Sequence, residues 1–223
     1  MSATSIAKAM PPFLRRQLIH FECLIEKAVS DFSKSLPDGS RVLDAGAGEG
    51  QYASWFALHR YTGVDLGIGD AAWNYRELDA VADLCALPFA DKTFDAAINI
   101  VTLEHLPEPL RALQEIARVL RPGAKLLIAV PHEWEVHQSP HDFYRYTRHG
   151  LRFLLERAGF TNIEIQPAGG YFRLLSRRLL NAVQFSLVLG ILFAPLALVL
   201  PLLDGLDKEK NFTVGYIATA QCR

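Results

Sequence analysis

A short apolar run that ends on alternate glycines, RVLDAGAGEG at Arg41–Gly50, limits what this chain can fold into more than any other feature. Val42, Leu43 and Ala45 suit a strand buried on both faces, as in the interior of a parallel sheet. Glycine at 46, 48 and 50 permits positive φ and lets the backbone pass where a Cβ would collide. A strand of this kind needs neighbours and covering helices, and the rest of the chain supplies them in alternation. Leu14, Leu18, Phe21, Leu24, Ile25, Ala28 and Phe32 follow helical spacing within Phe13–Leu36, and PDGS at 37–40 stops the helix. The pattern then predicts a helix near Tyr52–Leu58, strands at YTGVDL, LDAVAD and FDAAINI, a helix over Glu108–Leu120 and a strand at AKLLIAVP. An amphipathic helix over Gly150–Ala158 follows, then strands at NIEIQP and at FTVGYIATAQ, residues 212–221. Alternation of this kind predicts an α/β fold, a mostly parallel sheet with helices on both faces.

The chain has 223 residues, half of them hydrophobic, which is enough for one domain with a substantial core. Its formal net charge of -1 offers no basic field for a phosphate backbone, so nucleic acid is not expected as a partner. Cys23, Cys85 and Cys222 lie far apart, which fits a reducing compartment better than a disulfide framework or a zinc site. The opening residues MSATSIAKAMPPFLRRQL show no apolar leader, and the expected location is cytoplasmic.

Three aspartates follow three successive strands. Asp44 precedes the glycines, and Asp65 stands at the end of the next strand, where a carboxylate can accept both hydroxyls of a ribose. Asp83 ends a third strand, where it can take an adenine amino group while Leu84 covers the ring. Any one of them could instead serve a turn or a helix cap. With VLDAGAGEG, GVDLG, ADLCALPFADKTFDAAINIVTLEHLPEP and LRALQEIARVLRPGAKLLIAVP in this order, the chain resembles the class I S-adenosylmethionine-dependent methyltransferases, over about Arg41–Phe160 and the final strand. The resemblance implies a Rossmann-like, seven-stranded sheet whose last strand is antiparallel. It also implies S-adenosylmethionine as cofactor and S-adenosylhomocysteine as product. By the same resemblance Asp44, Gly46, Gly48 and Gly50 hold the methionine part, Asp65 the ribose, and Asp83 with Leu84 the adenine. Asn99 and Ile100 line the sulfonium side, and Arg121-Pro122-Gly123 is a structural turn. The stretch GIGDAAWNYRE after Asp65 departs from the clear helix of many relatives. Trp73 or Tyr75 is then a lid at the adenine side, or packs on the sheet edge.

A methyl acceptor with a hydroxyl needs a base, and the loop after the fifth strand, VPHEWEVHQSPHDFYRYTRHG at Val130–Gly150, is dense in titratable groups. Its SPHDFYRYT stretch also resembles a feature of related methyltransferases. Three readings stay open. His132, or the pair His141 and Asp142, supplies a general base; the tyrosines pack while Arg145 pairs with a carboxylate; or His132, His137 and His141 bind a metal. No metal is assigned from the sequence. Glu104 and His105 begin the helical region after strand four, where His105 either reaches the cofactor or serves the helix start.

From Leu179 to Leu203 no residue carries a charge, a length that could span a membrane. Gly190, Pro195 and Pro201 interrupt it, and a sheet strand follows it, so the segment has to leave on the side it entered. A bent pair of short helices, Leu179–Ala194 and Leu196–Leu203, is therefore expected to dip into one leaflet. Arg173, Arg177 and Arg178 would meet anionic headgroups, so that residues 171–203 form a monotopic contact with the cytoplasmic membrane face. A packing face or an oligomer interface is the other reading. One domain is expected over 1–223, with an N-terminal helix at 13–36, a cofactor-binding core at 41–168, the apolar insertion at 169–211 and the final strand at 212–221. The activity expected is O-methylation of a lipid, quinone-like or lipid-linked acceptor. Methylation of a small soluble metabolite, or a non-catalytic membrane partner with this fold, is the alternative.

Overall fold

In a computed structural model of the chain, residues 11–69 and 73–223 are described, so the readings of residues 1–10 and of Asp70–Ala72 fall outside them. The chain divides into two compact units. The larger comprises Lys27–Gln166 with Tyr216–Arg223, and the smaller Met1–Glu26 with Pro167–Gly215. The smaller unit therefore takes its helices from both ends of the sequence. The N-terminal helix departs from expectation: it breaks at Ile19 into α1 (Pro12–Leu18) and α2 (His20–Lys34), with Ile19 at φ -125° and ψ 54°.

The larger unit is built on a seven-stranded sheet of order β3-β2-β1-β4-β5-β7-β6. Its strands are β1 (Arg41–Ala45), β2 (Arg60–Asp65), β3 (Ala80–Val81), β4 (Phe94–Ile100), β5 (Leu120–Pro131), β6 (Phe160–Pro167) and β7 (Gly215–Cys222). β1 pairs in parallel with β2 and β4, and β4 with β5, so the glycine-bearing strand is central. Bonds linking the β6 region to β7 run from Gly159 with Arg223 to Ala168 with Gly215, the antiparallel sense expected of the last strand. Central strands buried on both faces need uninterrupted apolar side chains, and Leu43, Ala97, Ile98, Leu126 and Ile128 are all fully buried. Helix α3 (Pro109–Val119) starts on a proline at its first turn, where the missing N–H costs nothing. It presents Ala112, Leu113, Ile116 and Val119 to the core. Helix α4 (Arg148–Arg157) is capped by Thr147, whose side chain accepts from the Gly150 amide at 3.0 Å.

Three local expectations change. The helix near Tyr52–Leu58 is a single 3-10 turn, Ala53–Phe56. The third strand is only Ala80–Val81. Arg121-Pro122-Gly123 is not a free turn: it lies within β5 as an irregularity, with the β4–β5 register slipping and Gly123 at φ 81°.

The smaller unit is helical. Helix α5 (Tyr171–Asn181) turns through Ala182–Gln184 into α6 (Leu187–Val199), which continues as a 3-10 segment, Leu200–Leu206. The bend thus falls before α6 and not at Pro195, which lies inside that helix and deletes one backbone bond without ending it. Gly190 allows the close return, since a Cβ there would lie 2.9 Å from the Val183 Cβ. Arg173 and Arg177 are turned inward rather than outward: Arg177 lies 3.6 Å from Glu22, and Arg173 lies 3.6 Å from Asp204. Leu187–Leu206 is a 20-residue stretch, long and apolar enough to cross a membrane by length and composition, with a mean hydropathy of 2.4 over its most apolar 18 residues and 22% of those buried. Phe185, Leu187, Ile191, Leu192, Leu202 and Leu206 are all exposed, from 66% for Ile191 to 85% for Phe185.

Buried Asp204 ties the hairpin together. Its carboxylate accepts from the Gly170 amide at 3.0 Å and the Arg173 amide at 3.1 Å, capping α5 from a segment distant in sequence, while Asp207 accepts from the Tyr171 amide at 2.8 Å. Loss of a charged cap of this kind costs about 1–2 kcal/mol. Asp204→Ala is expected to lower the thermal midpoint by a few degrees, and to raise amide exchange at Gly170 and Arg173 while β1 and β4 stay protected. Hydrogen exchange read by mass spectrometry checks this.

Candidate active site

Each glycine of the loop after β1 sits at positive φ: 92° for Gly46, 54° for Gly48 and 73° for Gly50. The constraint is strictest at Gly46, where a Cβ would lie 2.2 Å from the Thr102 side chain. Thr102 closes this contact by donating from its hydroxyl to the Gly46 carbonyl at 3.2 Å. It follows Val101, a β-branched residue held at φ 51°, a conformation such residues rarely adopt and one that collects at functional sites. Both lie within the stretch FDAAINIVTLEHLPEP that carries the family resemblance, but neither has a role assigned from the sequence.

The carboxylates have distinct surroundings. Asp65, at the end of β2, accepts from the Gly48 amide at 3.0 Å and from the Gly67 amide at 2.8 Å, which fixes its orientation beside the loop. Each oxygen keeps a further lone pair for a hydroxyl. Asp83 is exposed and accepts from the Cys85 amide at 2.8 Å. Leu84, beside it, is buried and packs with the core. Asn99 is fully buried; its amide donates to the Ala45 carbonyl at 2.6 Å, leaving Oδ1 without a partner. Ile100 lies beside it, also buried. Of the two aromatics considered for the adenine side, Trp73 lies beside the glycine loop and Tyr75 beside Gly67 and Gly69. A Cβ on Gly48 would touch the Trp73 ring at 3.4 Å, the Tyr75 hydroxyl accepts from the Gly69 amide at 2.8 Å, and Glu49 accepts from the Asn74 amide at 2.9 Å. A side-chain-free cradle, an oriented carboxylate with spare lone pairs and a buried orphan oxygen fit the S-adenosylmethionine that the sequence implies.

Asp44 is deeply placed. It is 1% exposed and accepts from the Tyr61 hydroxyl at 2.6 Å. Burial pushes its carboxyl up to about 7, against the lowering effect of the Tyr61 bond and with a further push from Asp65. Because burial favours the neutral form, Asp44 costs nothing below the ordinary carboxylate range, where folded and unfolded chains are both protonated. As pH rises from about 4 to about 7 the unfolded chain loses this proton first, so the penalty grows and then levels off. Asp44→Asn keeps an acceptor for Tyr61 and removes the ionisation. The variant is expected to gain stability relative to the wild type between pH 5 and pH 8, read from thermal midpoints at each pH. A constant difference would contradict the assignment.

The loop after β5 is held by Arg145. Its guanidinium binds both oxygens of Asp142, at 2.6 and 2.7 Å, and donates to the carbonyls of Glu135 at 2.7 Å and Trp134 at 3.2 Å. Arg145 holds the Asp142 carboxyl down at about 2. Asp142 also accepts from the His137 amide at 2.9 Å and is not paired with His141. It therefore organises the loop and is a poor proton acceptor. His141 contributes its backbone carbonyl, 2.5 Å from His105 Nδ1, while its ring lies near Phe143. His132, directly after β5, sets its half-buried ring beside Tyr216, with centroids 5.5 Å apart. The metal set read from the sequence, His132, His137 and His141, is not assembled. His137 meets Glu104 and His105 instead, and Glu104 is fully buried, its carboxyl pushed up to about 8 by desolvation. Tyr146 anchors this side by donating to the Leu103 carbonyl at 2.9 Å, and Phe143 donates its amide to the Glu104 carbonyl at 2.9 Å.

Comparison with known proteins agrees with this geometry. Residues 43–128 match a family described as a methyltransferase domain. The chain is 37% identical over 117 residues to a tRNA (carboxymethyluridine(34)-5-O)-methyltransferase of Arabidopsis thaliana, covering 50% of this chain and 28% of that protein. It is 39% identical over 100 residues to a fatty-acid O-methyltransferase of Mycolicibacterium smegmatis, covering 40% and 36%. The chain thus spans well under half the length of these curated relatives. A methyltransferase solved with the Haloferax volcanii Trm112 activator shares the fold, with a TM-score of 0.61, 23% identity and coverage of 88% of this chain and 87% of that one.

Proposed function

We propose that this chain, which carries a methyltransferase domain with the class I S-adenosylmethionine-dependent fold, O-methylates a lipid, quinone-like or lipid-linked acceptor at a membrane surface. The observation that carries the reading is the exposed, uncharged face of α6 and its 3-10 extension in the same chain as the glycine-loop site. Apolar side chains left in water on this scale are a liability unless lipid or a partner covers them. The α-helical part, Leu187–Val199, rises about 20 Å, short of the roughly 30 Å hydrocarbon core, and the hairpin connects β6 to β7. The hairpin lies in one leaflet. With Arg173 and Arg177 turned inward, lipid contact rests on apolar burial more than on attraction to anionic headgroups. Both fatty-acid and tRNA O-methyltransferases occur among the relatives, and the net charge of -1 favours the former kind of acceptor.

S-adenosylmethionine, when bound, supplies a methyl group on a positively charged sulfonium. The residues of the chain then have to position an oxygen in line, keep water away and take its proton. Gly46, Gly48 and Gly50 would admit the methionine part, Asp65 would accept from the ribose hydroxyls, and Asn99 Oδ1 would accept one further bond. His132, at the end of β5, is the base that takes the acceptor proton. Asp142 and Arg145 hold the loop in which it stands.

Labelled S-adenosylmethionine incubated with the full chain and a membrane extract is expected to transfer label to the organic phase. His132→Ala should slow this by about 10² or more without changing cofactor affinity. Asp65→Ala should weaken cofactor binding in calorimetry by about ten- to a hundredfold, the size of a lost charge-assisted bond. Label confined to small aqueous products would overturn the lipid reading, and a wild type that binds no S-adenosylmethionine would overturn the activity. The full chain is also expected to float with phosphatidylcholine vesicles, with little sensitivity to salt. Ile191→Glu combined with Leu192→Glu, at exposed positions that leave the fold alone, should abolish flotation. Equal flotation of both chains would refute the membrane contact.

A further inference from the structure

We propose that Glu104, His105 and His137 form a binding site for one divalent first-row transition ion of the zinc or cobalt class. One donor atom from each residue can be chosen so that all lie within 4.8 Å of one another. Nε2 of His105 and Nε2 of His137 both lie 3.8 Å from Glu104 Oε1. That distance is too long for a hydrogen bond. It suits donors about to share an ion: bonds of about 2.0–2.2 Å would draw each pair together by less than an ångström or so.

Two further observations point to a ligand. The Glu104 side chain is fully buried, and both of its carboxylate oxygens lack a hydrogen-bond partner, as does Nε2 of His105. A buried carboxylate without a partner is costly, and a cation between it and two imidazoles removes the cost. The histidines are also oriented from behind. His105 Nδ1 faces the His141 carbonyl at 2.5 Å, and His137 Nδ1 faces the Glu135 carbonyl at 3.1 Å and Asp142 Oδ2 at 3.5 Å. A carbonyl oxygen only accepts, so Nδ1 of His105 carries the proton and its lone pair is on Nε2, towards Glu104; His137 Nδ1 has the Arg145 guanidinium at 3.5 Å as well as the nearer Glu135 carbonyl, and an ion on Nε2 selects the same tautomer there. Metal-binding histidines are commonly held in this way, and the Arg145–Asp142 pair stiffens the support. Two histidines and one carboxylate are the donor set of catalytic zinc sites, which keep a position open for an oxygen ligand. Use of that position to polarise an acceptor hydroxyl rests on the O-methylation reading; the binding of the ion does not.

The test uses the full, tag-free chain after metal removal, titrated with Co2+ and followed by visible absorption, with Zn2+ displacement read by calorimetry. One ion per chain is expected, with bands of low-symmetry Co2+ that zinc bleaches. Glu104→Gln, close in shape to the wild type, should weaken binding by at least about a hundredfold, and His137→Ala by a similar factor. His137 is on the surface loop, so that variant reports on the site even if Glu104→Gln fails to fold. His149→Ala, an exposed histidine outside the cluster, should bind as the wild type does. No saturable binding by the wild type, or binding unchanged in His137→Ala, would overturn the proposal. Since the readout needs neither cofactor nor acceptor, a chain that binds the ion but transfers no methyl would refute only the activity.

Discussion

The backbone of Gly46 passes so close to Thr102 that no side chain fits between them, and much of the larger unit follows from that contact. It presses the loop after β1 onto the segment after β4. This requires β1 and β4 to be parallel neighbours ending at the same level, as the register Val42–Ala96 to Asp44–Ile98 provides. With β2 on the other side of β1, Asp65 reaches the Gly48 amide, and with β4 in place Asn99 reaches the Ala45 carbonyl. A glycine that only relieved a turn would leave these neighbours free to shift. One that lies beneath a threonine sets the spacing of three strand ends at once, and those ends are the candidate site.

The elements most legible in the sequence were those with a local physical cause. β1, β4 and β5 each hold a largely apolar, buried run because both their faces are covered, so the runs stand out without knowledge of the fold. Asp65 is visible because a carboxylate that closes a strand is unusual unless something binds there. The pairing of Arg145 with a carboxylate was among the sequence readings and is found with Asp142, whereas Thr102 and the carbonyls that Arg145 gathers were harder to see, since those roles depend on what the chain brings to them. Thr102 matters only because Gly46 returns to it, and Arg145 gathers carbonyls from Trp134 and Glu135 that no spacing rule connects to it.

The histidine-rich loop shows how topology can regroup residues of the same chemistry. By composition, His132, His137 and His141 looked equivalent. In the fold His132 stays with β5 and β7, His141 turns its carbonyl inward, and His137 joins Glu104 and His105 from the segment after β4. What separates them is Asp142, which accepts from the His137 amide while gripped by Arg145. A carboxylate held well below its usual range by a bidentate guanidinium stays charged at any ordinary pH and so serves as a fixed strut. The neighbouring carboxylate, Glu104, has the reverse environment, with desolvation outweighing Arg145. Two acids in one loop region thus have different tasks because one has a guanidinium in contact and the other does not.

The smaller unit applies the same economy of polar groups to an apolar segment. Helix ends leave amides unsatisfied, and in a hairpin made of leucine, valine and phenylalanine few side chains can answer them. Asp204 and Asp207, just beyond the uncharged run, reach back to the start of α5, and Ser176 donates to the Ala197 carbonyl at 2.6 Å between the two helices. These bonds close the hairpin internally, so its stability does not require the outward leucines to pack against protein. That division suits the lipid contact proposed above: polar groups answered within, apolar groups left facing out. A hairpin evolved only to fill a core would show the reverse, with Ile191 and Leu192 inside, and the 66% exposure of each argues against that use.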